Sequence, residues 1–267
     1  MHAVQQLYQY RKSISTRPFK ARGAKTQRCE LCRLNIQYCI CQWRQVSDTK
    51  VAFALLMYDD EVLKPSNTGR LIADVIDDTH AFLWHRTDVN EGLLTLISDP
   101  QYQPFVVFPK DYANPGQLVL ESQQQLNAIV DTDKTPLLIL LDATWRQAKK
   151  MYRKSAYLHH LPMLSINVDA LAEQLVDIKA MTNVGIERVF DSRYQVRKAV
   201  QEGQLATAEV AAVALALFEQ NKAACHLNLW FELFSYQYQR GVMQTNRGDP
   251  SSIERYMAFI EQLETRT

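Results

Sequence analysis

Two groups of residues have the types and spacing to do chemistry. Cys29, Cys32, Cys39 and Cys41 form a C-x2-C-x6-C-x-C run, two close thiol pairs facing each other across a short loop. Four thiolates suit tetrahedral zinc, and a closed four-sulfur site would fold a small module, not activate water. An iron–sulfur cluster or chance spacing are the alternatives. The second group lies in LLILLDATWRQAKKMYRK, residues 137–154, where an apolar run ends at Asp142 and a basic, helix-prone stretch follows Thr144. Such a run fits a strand buried on both faces, and strands of that kind carry chemistry at their carboxyl ends. Thr144 can cap the helix that follows, and Arg146, Lys149, Lys150, Arg153 and Lys154 recur at three- and four-residue spacings along one side of it. The expected site sets one acid beside a cationic face. A capping aspartate on a solvated helix is the competing reading.

The elements that must position these residues follow from the texture of the chain. At 267 residues and 47% hydrophobic content it can bury a real core. From Val51 onward the apolar runs VAFALLM (51–57), AFLW (81–84), PFVVF (104–108), PLLILL (136–141) and MLSINV (163–168) alternate with helical or turn-rich segments, the pattern of an α/β domain. After Thr207 the sequence reads as helical, with Thr207 as one cap and Ser251 or Ser252 as another. Asn67 or Thr68 can cap a helix that begins in KPSNTGRLIADVI. The divisions expected are a basic arm and cysteine module over 1–45, an α/β domain over 46–222 and a helical extension over 223–267.

Charge and composition exclude several classes. The net charge of +1 argues against a nonspecific polycation, so a nucleic-acid surface must come from local clustering. Residues 11–28 hold seven basic residues and no acidic one, and 143–168 hold five more. The first cluster reads equally as a solvated arm or an RNA contact. All eight glycines are isolated, which sets aside dinucleotide-type and P-loop cradles. No apolar run approaches the roughly 18 residues needed to span a bilayer, and no signal peptide is evident, so the expectation is a cytoplasmic protein with no membrane partner. Cys225 lies in an apolar helical stretch and reads as a small buried hydrophobe. Tyr38 and Trp43 flank the cysteines, either to cover the knuckle or to stack on bases.

Asp142-Ala143-Thr144-Trp145, after an apolar strand and before RQAKKM, resembles the D-x-T-W motif of the DTW-domain family, the tRNA-uridine aminocarboxypropyltransferases. The cysteine cluster, NTGRL at 67–71, FP at 108–109, LP at 161–162 and LATAEV at 205–210 occur in that family's order. Two departures stand out: Tyr58-Asp59-Asp60-Glu61 occupies the place of a His-Pro-x-Glu pattern, and Ala206 replaces a frequent serine. The resemblance implies transfer of the 3-amino-3-carboxypropyl group of S-adenosyl-L-methionine to N3 of a uridine in tRNA. It also implies a SPOUT-like, trefoil-knotted α/β fold with a mostly parallel sheet, an N-terminal zinc module and a helical tail. Carried over residue by residue, the catalytic motif is Asp142, Thr144 and Trp145. The S-adenosylmethionine contacts are Thr68, Trp145, Leu164, Thr207 and Glu209, and the cations after Trp145 hold tRNA phosphates. Asp142 would either take the N3 proton or orient the cofactor's amino group. An S-adenosylmethionine-dependent RNA methyltransferase and a non-catalytic zinc-bearing RNA-binding protein are the rival readings.

Overall fold

The computed structural model describes residues 1–16, 26–166, 205–242, 246 and 248–264. The apolar runs become strands: β1 (Ala52–Met57), β2 (Thr79–Leu83), β3 (Tyr102–Val107), β5 (Thr135–Asp142) and β6 (Met163–Leu164). They join β4 (Val119–Leu120), which the sequence did not announce, in one six-stranded sheet of order β2-β1-β5-β3-β6-β4. Every described pairing is parallel, so the expected mostly parallel sheet is parallel throughout. Strand β6 is shorter than the run at 163–168, whose last two residues lie outside the described ones.

Continuous apolar strands are explained by helices on both faces, because side chains alternate from face to face along a strand. Phe53, Leu55, Met57, Phe105, Leu138 and Leu140 share one core with α2 (Gly69–Val75), α4 (Gln123–Asn127), α6 (Thr207–Leu217) and α7 (Asn221–Val242). Ala52, Ala54, Leu56, Leu137, Ile139 and Leu141 share the other with α3 (Glu91–Ser98) and α5 (Trp145–Lys154). Each fully buried Leu or Phe in these layers contributes about 1.5–3 kcal/mol.

The first core extends past the compositional divisions at 45 and 222. Val4 of α1 (Ala3–Ser13) and Cys32, Leu34 and Ile40 of the cysteine module lie in it beside Trp230, Phe231 and Phe234 of α7. Helix α7 is buried on nearly all sides, and α8 (Ser252–Glu264) covers it through Tyr256, Phe259 and Ile260. Ser251 sits just before α8, where its hydroxyl bonds to Asp249 at 2.7 Å, and Ser252 is its first residue.

The topology marks where a ligand can enter. Strand β1 leads through α2 to β2 on one side, whereas β5 leads through α5 toward β6 on the other, and β1 and β5 are neighbours. The two helices leave on opposite faces, so the crevice between the carboxyl ends of β1 and β5 is a topological switch point, the usual ligand position in an open parallel sheet. Met57 and Asp142 pair across it as the last residues of their strands.

Candidate active site

Asp142 is buried at the switch point, 3% exposed. Its main-chain oxygen accepts the Tyr58 N–H at 3.0 Å, which extends the β1–β5 ladder by one residue. Its carboxylate accepts from the Asn67 Nδ2 at 2.5 Å and from the Thr207 hydroxyl at 2.6 Å, one on each oxygen. The Asn67 amide is oriented by its other end, whose Oδ1 accepts the Arg70 N–H at 2.9 Å. That bond caps the first turn of α2 and turns Nδ2 toward Asp142. Gly69 makes the approach possible, since a Cβ there would stand 2.5 Å from Asp142 Oδ2. One carboxylate thereby ties β5 to the starts of α2 and α6, through bonds of the charge-assisted kind.

Thr207 does not cap its helix as the sequence suggested. Helix α6 begins at Thr207 with Ala206 in the capping position, and Glu209 Oε2 accepts the Ala206 N–H at 2.7 Å. The threonine hydroxyl is drawn instead to the Asp142 carboxylate, a stronger acceptor than any available main-chain oxygen.

Helix α5 starts on the other side of the crevice. Thr144 is its N-cap, and Gln147 Oε1 accepts both the Thr144 N–H at 3.0 Å and its hydroxyl at 2.5 Å. The inner face of α5 rests on aromatic rings: Phe108 stacks on Trp145 (centroids 5.6 Å, 24°) and on Tyr152 (4.9 Å, 19°). Its outer face borders an open cleft of about 890 Å³ lined by Arg146, Lys149, Lys150 and Arg153 together with Tyr58, Tyr112, Asn114 and His159. Lys154 is exposed but does not line the cleft. Among the described residues none of these five cations forms an ion pair with a carboxylate. Uncompensated positive charge beside aromatic rings is the footprint of a nucleic-acid surface.

The cysteine module fits a metal. The four Sγ atoms lie within 4.8 Å of one another, with Cys29–Cys41 and Cys32–Cys39 each at 3.7 Å. Tetrahedral zinc at about 2.3 Å from each sulfur sets sulfurs about 3.8 Å apart, so the four thiols could hold a metal ion with little movement. The Cys32 thiol is drawn down to about 5, first by its hydrogen bond with Cys41, and the same bond holds Cys41 above the ordinary thiol range. Arg33, in the left-handed region at φ 59°, turns the chain between the cysteine pairs. Its guanidinium donates to the Val62 carbonyl at 2.5 Å and lies 3.8 Å from the centre of the Tyr8 ring, which docks the module beside the β1–α2 connection. Tyr38 lies under the Arg240 guanidinium at 4.4 Å, and Trp43 is partly buried against the first core.

A family model for the DTW domain matches residues 26–239. This chain belongs to the DTW-domain family. That family comprises the tRNA-uridine aminocarboxypropyltransferases, and membership supports a tRNA-modifying function in general. No solved structure matches the chain. Among the described residues no helix is long and apolar enough to cross a membrane.

The DTW-domain motifs converge unevenly on the switch point. Asp142, Thr207 and the NTGRL turn meet directly, with Thr68 (5% exposed) at the start of α2 and Glu209 (6%) in the first turn of α6. Thr144 stands at the start of α5 and lines the cleft, while Trp145, the next residue, stacks on Phe108. Leu164 is buried at the end of β6, where its carbonyl accepts the Phe108 N–H at 3.2 Å, two strands away from β5. In the departing segment Asp59 grips Arg11 of α1 (2.6 and 2.8 Å) and buried Glu61 pairs with Lys64 at 2.6 Å. Arg11, counted in the basic arm, is therefore docked, and residues 17–25 of that arm lie outside the described ones. Sequence reasoning flagged Asn67 only as a cap and passed over Tyr112 and Asn114. Their signal was weak, because each stands alone in the connection after β3 with no periodic partner.

Proposed function

We propose that this chain transfers the 3-amino-3-carboxypropyl group of S-adenosylmethionine to N3 of a uridine in tRNA, releasing 5′-methylthioadenosine. Family membership over residues 26–239 carries this reading. It is supported by motif residues that meet at one sheet end beside an uncompensated cationic cleft. In the reaction the N3–Cγ bond forms as the Cγ–S bond breaks, the bonding pair neutralises the sulfonium, and the N3 proton leaves to water or a base. The protein's task is to present Cγ and withhold the methyl carbon, which is positioning. Cations along α5 favour the developing N3 anion and hold tRNA phosphates.

Asp142 acts in this proposal as a positioning residue. A carboxylate 3% exposed, with a donor on each oxygen, is suited to fixing the turns at Asn67–Gly69 and Ala206–Thr207 that would surround the cofactor. Thr68, Trp145, Leu164, Thr207 and Glu209 remain the proposed S-adenosylmethionine contacts, and Thr144 and Trp145 set the wall facing the RNA. The four cysteines hold zinc, which supplies a structural cross-link for the N-terminal module. Thiols so arranged suit a reducing compartment, the cytoplasm. The fold is proposed to be SPOUT-like and knotted.

Purified protein incubated with unmodified tRNA and S-adenosylmethionine labelled in its carboxyl group tests this directly. Nucleoside mass spectrometry should find the label in 3-(3-amino-3-carboxypropyl)uridine. Label entering only from the methyl group would make the chain a methyltransferase, and no transfer from either position would leave RNA binding alone.

A further inference from the structure

Two arginines lie buried beside the cysteine module with little around them to offset their charge. Arg33 follows Cys32 directly, and its N–H closes the turn of the first thiol pair on the Cys29 carbonyl at 2.9 Å. It is 3% exposed, and its guanidinium rests on the Val62 carbonyl and the face of the Tyr8 ring. Its Nε and Nη2 find no acceptor among the described residues. Arg70, from the NTGRL turn, is fully buried. One of its nitrogens pairs with Asp74 at 3.2 Å and the guanidinium lies 5.1 Å from the centre of the Phe234 ring, while Nε and Nη2 again find no acceptor among the described residues.

Both arginines belong to one neighbourhood. Asp74 is reached from the cysteine module as well, by Arg44, three residues past Cys41, at 3.9 Å. Burial, and after it the charge of Arg70, holds the Arg33 guanidinium below its ordinary range. After the bond with Cys41, Arg70 also helps to draw the Cys32 thiol down. Like charges set together in a core repel, and a buried guanidinium without matching negative charge is strongly unfavourable. Asp74 is a single carboxylate, and it also accepts the Trp230 N–H at 3.2 Å and lies 3.2 Å from His2 Nε2.

Zinc in the four-cysteine site redresses this imbalance. Binding removes the thiol protons, and four thiolates around one Zn²⁺ form a dianion. The two buried guanidiniums match it in number with opposite sign, and in a low-dielectric core that attraction acts across several ångströms without direct contact.

We propose that Arg33 and Arg70 are the counter-charges of the zinc-loaded cysteine site, so that the arginine of the NTGRL turn serves the metal and not the cofactor. This rests on zinc as the occupant of the four cysteines and is independent of the transfer reaction. Arg70 becomes a positioning residue. Its side chain answers the metal, while its main-chain N–H holds Asn67 Oδ1 at 2.9 Å and Asn67 in turn donates to Asp142. Loading the module with zinc therefore braces the start of α2 at the switch point.

The test uses the full chain and zinc competition against a chromophoric chelator at pH 7. Groups around metal ligands typically change affinity about 10–100-fold, so Arg33→Met and Arg70→Met should each weaken zinc binding by that much. Arg33→Lys and Arg70→Lys keep the charge and should restore most of the affinity. Tyr8→Leu removes the ring under Arg33 and leaves its charge, so zinc should bind nearly as in wild type. If Arg33 merely docks the module, Tyr8→Leu harms zinc binding as much as Arg33→Met does and lysine gives no rescue. Arg70→Met takes a partner from buried Asp74; should it fail to fold, Arg70→Lys and the Arg33 series still decide. At saturating zinc, hydrogen exchange at residues 69–75 should be slower than in metal-stripped protein for wild type and Arg33→Met, and Arg70→Met should lose that slowing. Zinc held equally by wild type and the methionine variants, or lost as readily in Tyr8→Leu as in Arg33→Met, would overturn this inference and leave the cysteine site standing. Wild type that binds no zinc would remove the site itself and the inference with it.

Discussion

Asp142→Asn separates positioning from proton removal, because the geometry dictates how the new amide must sit. Asn67 cannot reverse its own amide while its Oδ1 holds the Arg70 N–H at 2.9 Å, so it continues to donate toward position 142. The new side chain turns its oxygen to Asn67 and its NH2 to Thr207, whose hydroxyl rotates to accept. Both contacts survive in form and lose their charge. A hydrogen bond to a charged group is worth about 1.5–3 kcal/mol and a neutral one about 0.5–1.5, so the pair loses about 2 kcal/mol. If that loss falls on the arrangement that binds S-adenosylmethionine, affinity drops about thirtyfold. Single-turnover transfer at saturating cofactor should fall by less than about tenfold, since no group that touches the N3 proton has been removed. Thr207→Val breaks one of the same two bonds, so the double variant should be less than additive by about 1 kcal/mol. Calorimetry for cofactor affinity and rapid-quench transfer, on the same preparations, measure both quantities. Unchanged affinity with transfer slowed about 10²- to 10⁴-fold would refute positioning and make Asp142 the base.

Gly69→Ala should destabilise the protein by about 1–3 kcal/mol in urea unfolding despite alanine's better helix propensity, because its Cβ would meet Asp142 Oδ2 at 2.5 Å. A variant more stable than wild type would mean that the carboxylate moves aside easily. Cys32→Ser should lower zinc, measured by inductively coupled plasma mass spectrometry, well below one per chain, while Cys225→Ser leaves it unchanged; equal metal in both would remove the four-cysteine site. His226 is buried between the Ser47 hydroxyl (2.7 Å) and the Tyr256 hydroxyl (3.0 Å), and burial lowers its pKa to about 4. The folded form refuses a proton that the unfolded chain accepts near pH 6.5, so stability is unaffected above that pH and falls as pH drops through the window down to about 4. Wild type should lose about 2 kcal/mol more than His226→Gln between about pH 7 and pH 5, and parallel pH profiles would show that His226 accepts its proton in place.

The strands were legible because burial on both faces writes an unbroken apolar run, and the basic face of α5 because its spacing is helical. β4 was not, since the two residues Val119 and Leu120 are too few to show a period. Helix α7 read as part of a separate tail, yet Trp230 donates to Asp74 of α2 at 3.2 Å and the helix fills the main core. A buried helix with polar residues satisfied by distant partners looks, in sequence, like a surface helix with an apolar stripe. Thr207 shows the same limit at the site. Its local context favours a cap, and only the fold brings it within 2.6 Å of a carboxylate that lies 65 residues earlier.

That distance in sequence bears on why a carboxylate ends the LLILL strand. Burying a charge without partners is strongly unfavourable, and Asp142 finds side-chain donors on segments on either side of it in sequence, at Asn67 and Thr207. Neither segment alone satisfies both oxygens. The carboxylate is therefore at its most stable when both turns are seated at the end of β5, and displacing either takes a donor away from a buried carboxylate oxygen. An asparagine or threonine at the strand end could bridge the turns only with weaker neutral bonds, and an apolar residue would leave Asn67 Nδ2 unpaired. The acid thus couples two turns far apart in the chain into one rigid rim. For a transfer decided by which carbon of a sulfonium faces the nucleophile, rigidity of that rim is a direct contribution to selectivity.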